Sequence, residues 1–136
     1  MSHHCSTLLL SCIDFRFHRD LDQWMDEQGL TKNYDHVAIA GACKSLVAPE
    51  VDRDRSFLLK QISISASLHN ISQVFLMNHE DCGAYGGKKA FAGNQEEASR
   101  HIQEMATAQK IIAETHPGLQ IKKIYARIND AGVVSF

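Results

Sequence analysis

The sequence contains no apolar run approaching the ~20 residues of a membrane-spanning helix. Its "TLLLS" segment is too short for the core of a signal peptide. A soluble, cytoplasmic protein is therefore expected. Charge of one sign is also missing, because 14 Lys and Arg stand against 16 Asp and Glu and leave a net charge of −2. The basic residues are scattered, so the stripe that nucleic acid or an anionic membrane needs is not formed, and neither is expected as a partner. No internal repeat, low-complexity tract or linker divides the 136 residues. With 44% hydrophobic and 22% charged residues, one globular domain over 1–136 is expected.

Cysteine is sparse: Cys5, Cys12, Cys43 and Cys82. A chain of this length buries a core without staples and the sequence shows no secretory signal, so the thiols are read as reduced. That leaves packing, metal binding or catalysis for each. Taken singly, a cysteine is a small hydrophobe, and Cys5 and Cys43 are assigned to packing.

The apolar pattern alternates between strand and helix. "STLLLSC" reads as a buried strand, and "HRDLDQWMDEQGL" as a helix with Leu21, Trp24 and Met25 on one face, stopped by Gly29. "HVAIAG" is a second strand, and "SFLLKQISISASLHN" a helix with Leu58, Ile62, Ala66 and Leu68 near one stripe. "SQVFLMN" is the third strand. The longest helix spans "NQEEASRHIQEMATAQKIIAETHPG", with Ile102, Met105, Ala106, Ile112 and Ala113 at helical spacing and Pro117 and Gly118 as its stop. The tail alternates at Ile124, Ala126 and Ile128, then turns through "NDAG" into "VVSF" as an edge hairpin.

This succession predicts an α/β fold: a mostly parallel four-stranded sheet, order 2-1-3-4, with an antiparallel C-terminal edge strand and helices on both faces. In that order a crevice opens between the carboxyl ends of strands 1 and 3, where such folds bind ligands. Ser11 to Phe17 follow the first of these strands and "NHEDCGAY", Asn78 to Tyr85, the second. Cys12 is thereby expected to meet His79 and Cys82. Two thiolates and an imidazole match the donor preference of zinc, and three protein ligands leave the open position of a catalytic site. Cys43, at the end of strand 2, is the rival fourth ligand that would close the site into a structural one. Asp14 and Arg16 lie two and four residues beyond Cys12, where a carboxylate can accept a hydrogen bond from metal-bound water and a guanidinium can hold that carboxylate. Freed from Arg16, Asp14 could instead occupy the metal's open position.

"CIDFR" with "HEDCG" resembles the Cys-x-Asp-Ser-Arg and His-x-x-Cys pair of the β-class carbonic anhydrases, and the likeness runs in element order from about Leu8 to Phe136. The "AGA" after strand 2 agrees with it. The resemblance implies one Zn2+ per chain on Cys12, His79 and Cys82, a catalytic Asp14–Arg16 dyad, and reversible hydration of CO2 to bicarbonate by zinc-bound hydroxide. It also implies a homodimer or larger homo-oligomer. Phe15 stands where the family carries serine, "AGACKSL" lacks the asparagine common near that glycine, and little precedes strand 1. A smaller or differently braced dimer is expected from the last departure. Phe15 points weakly toward the narrower entrance suited to CS2 or COS, whose hydrolysis by relatives using the same ligands is the alternative activity. A zinc-stabilised scaffold without turnover and a thiol redox protein using Cys82 are the remaining alternatives.

Glu80 and Asp81, between the two ligands, are expected to cap the next helix or face solvent. Gly83, Gly86 and Gly87 suit close backbone approach or a positive φ, and no glycine-rich run ends in the Lys-Ser/Thr of a phosphate cradle. His18, His36, His69, His101 and His116 are read as surface or helix-end residues, and His3 and His4 are given no role.

Overall fold

Every residue of the first strand, β1 (Thr7–Ser11), is buried, which is why it reads as an unbroken apolar run rather than an alternating one. The computed structural model describes residues 3–136. After β1 come α1 (His18–Glu27), β2 (Tyr34–Ala38), a single-turn α2 (Lys44–Val47) and α3 (Asp52–His69). They are followed by β3 (Gln73–His79), α4 (Asn94–Thr115), β4 (Gln120–Ile128) and β5 (Val134–Ser135). The strands form one sheet, β2-β1-β3-β4-β5. Among the described residues, only the β4–β5 pair is antiparallel. The α/β architecture, the strand order and the antiparallel edge are those the sequence predicts.

The two-residue period of β1 and β3 sorts their side chains onto two cores. Leu8 and Leu10 join Val74 and Leu76 beneath α2, α3 and α4, with Leu46, Leu58, Ile62, Met105 and Ile112. Leu9, Phe75 and Met77 face the other way against Leu21 and Met25 of α1. Each fully buried leucine contributes about 1.5–3 kcal/mol relative to exposure. The sheet is therefore fixed from both sides at the strands whose carboxyl ends carry the candidate ligands.

Turns end where the sequence supplies the right residue. Gly29, at φ +76°, closes α1: its amide bonds to the Asp26 carbonyl and that of Leu30 to the Met25 carbonyl, the paired bonds of a Schellman motif. The Asn129 side chain accepts the amides of Ala131 and Val133 and so holds the hairpin into β5.

Two helical stripes differ from expectation. On α3, Leu58 and Ile62 are buried, but Leu68 is 60% exposed. On α4 the buried line runs Ala98, His101, Met105, Ala108 and Ile112, while Ile102 is 53% exposed and Ala113 faces solvent. The helix is rotated so that polar His101 occupies the position a hydrophobicity reading gives to its neighbour. The cause is a buried polar network that apolar periodicity does not register.

Candidate metal centre

β1 pairs with β3 in parallel register from Thr7↔Gln73 to Leu10↔Leu76. That register carries the segment after β1 and the last residue of β3 to the same end of the sheet. One donor atom each from Cys12, His79 and Cys82 falls within a 4.8 Å cluster. The two sulfurs lie 4.0 Å apart. Cys43 is fully buried elsewhere and is not among the three, so the closing fourth thiolate is not there; burial instead pushes its thiol up.

The imidazole is aimed by its surroundings. His79 Nδ1 donates to the Glu80 carbonyl at 2.7 Å, which leaves Nε2 as the acceptor face. Nε2 is buried and has no hydrogen-bond partner among the described residues. Phe17 packs its ring against that of His79, centroids 4.4 Å apart. The loop carrying His79 and Cys82 is tied to β4 twice, by the Glu80 amide to the Ala126 carbonyl at 2.8 Å and by the Ile128 amide to Glu80 Oε2 at 2.9 Å. Glu80 is thus a buried anchor, not a helix cap or a solvent-facing acid.

The thiols are already polarised. Cys12 is held well below the ordinary thiol range, first by the hydrogen bond from Cys82, then by His79 and by the Gly41 amide 3.4 Å from its sulfur. Cys82 is pushed the opposite way, first by sharing that hydrogen bond and then by burial. Two sulfurs 4.0 Å apart, beside a buried unpartnered imidazole nitrogen, fit a soft-to-borderline divalent cation: it would replace the thiol protons and satisfy the nitrogen. Gly41 is required where it stands. At φ +79° a Cβ there would lie 2.9 Å from the Ala84 Cβ, so the backbone of the β2–α2 turn can approach the thiolate only without a side chain.

Asp14 and Arg16 meet as expected. The guanidinium donates through Nε at 3.0 Å and a terminal nitrogen at 2.7 Å to the two carboxylate oxygens, and the Arg16 amide adds a third bond. Arg16 therefore holds the Asp14 carboxyl below its usual range. Asp14 Oδ2 lies 3.7 Å from His79 Nε2, beside the cluster without bonding to it. Sequence reasoning missed what holds Arg16. Its other terminal nitrogen donates to Asp81 Oδ2 at 3.0 Å, and the Asp81 carbonyl accepts a further bond. Asp81 is itself fixed at φ +59°, its amide bonded to Glu97 Oε2 and its Oδ1 accepting the Lys88 amide. The "ED" inside the His-x-x-Cys turn thus carries two structural jobs, with no separate signal in the sequence for either.

Behind the cluster, Asn78 Oδ1 accepts the Cys43 amide, so its NH2 group donates to Tyr85 Oη and to His101 Nδ1. His101 is fully buried, not a surface residue. Phe15, by contrast, is 83% exposed and stands at the rim of an open hollow of about 670 Å³ lined by Asp14, Arg16, Asp81 and Gly83.

The fold and the chain both have relatives. A crystal structure of β-carbonic anhydrases from Sordaria macrospora, described as tetrameric, superposes with a TM-score of 0.54 over 98% of this chain and 81% of the other, at 13% identity. At that identity the likeness is one of fold. Uncharacterized proteins of Rickettsia bellii and Rickettsia conorii are each 33% identical over 122 residues, 88% of this chain, which spans 74% and 66% of their lengths. Residues 2–135 match the family described as "Putative carbonic anhydrase". Because that match covers nearly the whole chain, the chain belongs to this "Putative carbonic anhydrase" family.

Proposed function

We propose that the protein is a zinc-dependent carbonic anhydrase, interconverting CO2 and bicarbonate as a cytoplasmic homo-oligomer of single-domain chains. The observation that carries this is the buried, unpartnered His79 Nε2 facing two thiols beside an Arg-held carboxylate. Cys12, His79 and Cys82 would hold one Zn2+. When bound, the ion supplies a Lewis acid able to lower the pKa of water toward ~7.

The chain's own groups do the rest. Asp14 stays ionised through the neutral range and presents an acceptor oxygen next to the cluster, orienting the O–H of a reacting water. Arg16 keeps that carboxylate turned along its own fork rather than onto the metal, and Asp81 keeps Arg16 there. Two thiolates donate charge that opposes water acidification, so holding the proton-accepting geometry falls to Asp14. The open hollow outside Asp14 admits a small neutral molecule and lets bicarbonate leave.

The test combines metal analysis with stopped-flow CO2 hydration. Wild type should hydrate CO2 with zinc on these ligands, and Cys82→Ser should lose both that zinc and the activity. Sulfide release from COS or CS2 without CO2 hydration would assign the alternative substrates, and bound zinc with no turnover at any pH would leave a scaffold.

A further inference from the structure

At the opposite end of the sheet, where the parallel strands begin, a second set of metal-ligating side chains converges. Cys5 precedes β1, Asp35 is the second residue of β2, and His69 is the last residue of α3. One donor atom from each lies within 4.8 Å of the others. The His3 ring packs edge-on against that of His69, centroids 4.7 Å apart. Cys5 is buried, and Asp35 and His69 are half-buried.

An ordinary ion pair explains only part of this. His69 Nδ1 meets Asp35 Oδ2 at 2.7 Å, and Ser65 Oγ donates to the same oxygen at 2.5 Å. Neither contact needs a thiol. Cys5 is fixed beside the carboxylate by its amide, which bonds to the His69 carbonyl at 3.1 Å, and its sulfur, 3.7 Å from the Thr7 carbonyl, is turned toward Asp35 as well. The three residues come from three separate elements, so their meeting is a property of the fold and not of a local turn.

We infer that Cys5, Asp35 and His69 form a second binding site for a zinc-like divalent cation, distinct from the Cys12–His79–Cys82 cluster. One sulfur, one nitrogen and one carboxylate oxygen are a donor set that zinc accepts, with a solvent molecule completing the tetrahedron. Two ligand atoms at ~2.0–2.1 Å from a tetrahedral ion lie ~3.3 Å apart. The 2.7 Å Asp35–His69 pair therefore opens by about half an ångström on binding. The ion takes the place of the thiol proton, which is released to solvent, while the neutral His69 ring binds through Nδ1 and carries its proton on Nε2. Ser65 keeps its bond to Asp35 and orients the ligating carboxylate. Such an ion ties the segment before β1 to β2 and to the end of α3, at the opposite end of the sheet from the candidate catalytic centre, so its role is to brace the chain and not to react.

The test uses the full chain saturated with zinc, desalted and analysed for metal per chain. Two ions are expected in wild type, one in Cys5→Ser and in His69→Gln, and one in Cys82→Ser. Because Cys5→Ser and His69→Gln leave the Cys12 cluster intact, they should retain CO2 hydration if the chain has it. The two readings therefore fail separately. Cadmium NMR of the unmutated protein guards against variants that do not fold: two resonances are expected, the one of lower thiolate count absent from Cys5→Ser. A wild-type zinc content that neither Cys5→Ser nor His69→Gln lowers would overturn the inference, whatever the Cys12 cluster holds.

Discussion

His101 should make the folded state sensitive to mild acid, and the size of the effect follows from its surroundings. The ring is fully buried, its Nδ1 accepts from the Asn78 NH2 group at 3.0 Å, and its Nε2 has no partner among the described residues. Because Asn78 Oδ1 is engaged by the Cys43 amide, the amide cannot turn over to accept a proton from Nδ1 without breaking that bond. Burial, with like charge from His79 and Arg100, pulls the imidazole from 6.5 to about 4. A base depressed in the folded state binds its proton first in the unfolded chain. Its contribution is therefore intact above about pH 6.5 and declines as pH falls toward 4. At ~1.4 kcal/mol per pH unit, the loss between pH 7 and pH 5 is ~2 kcal/mol. His101→Gln keeps an acceptor for Asn78 and removes the titration. Urea unfolding of both proteins at matched free zinc should show the wild type losing ~2 kcal/mol more than the variant across that interval. Parallel profiles, agreeing within ~0.5 kcal/mol, would refute the neutral, locked imidazole.

Asp14→Asn should lower CO2 hydration about 10–100-fold with zinc content unchanged, since it removes an outer carboxylate and no ligand; stopped-flow rates beside metal analysis check this. With the Asp14 carboxyl held below the ordinary 3.8, its own protonation should remove activity only below that pH, not near neutrality. Asp81→Asn weakens the outer hold on Arg16 and should reduce the rate less than Asp14→Asn, by roughly 2–5-fold for a partly exposed ion pair worth ~0.5–1 kcal/mol, read in the same assay. Gly41→Ala forces a Cβ to 2.9 Å from Ala84 at a positive φ and should cost ~1–3 kcal/mol in urea unfolding while weakening zinc retention against a chelator.

Legibility in the sequence followed physical type. Strand order and the meeting of Cys12 with His79 and Cys82 could be read because unbroken apolar runs mark strands buried on both faces, and these three residues stand at or just beyond their ends. The Asp14–Arg16 pair was legible from spacing. The rest was not, because it depends on polar groups satisfied far along the chain. Glu80 bonds to Ile128, Asp81 to Glu97, and Asn78 to His101, and nothing in periodicity announces such pairs. The same blindness turned α4: Ile102 looked like core, while His101 and Glu97 were drawn inward by partners on β3 and the turn after it.

The two bonds from Glu80 to β4 mean that the aim of the His79 ring is set by a strand that contributes no residue to the Cys12–His79–Cys82 cluster. Edits near the carboxyl terminus, at Ile128 or the hairpin beyond it, should therefore register as altered metal retention before they register as loss of fold. A fusion tag appended there is best judged by its zinc content.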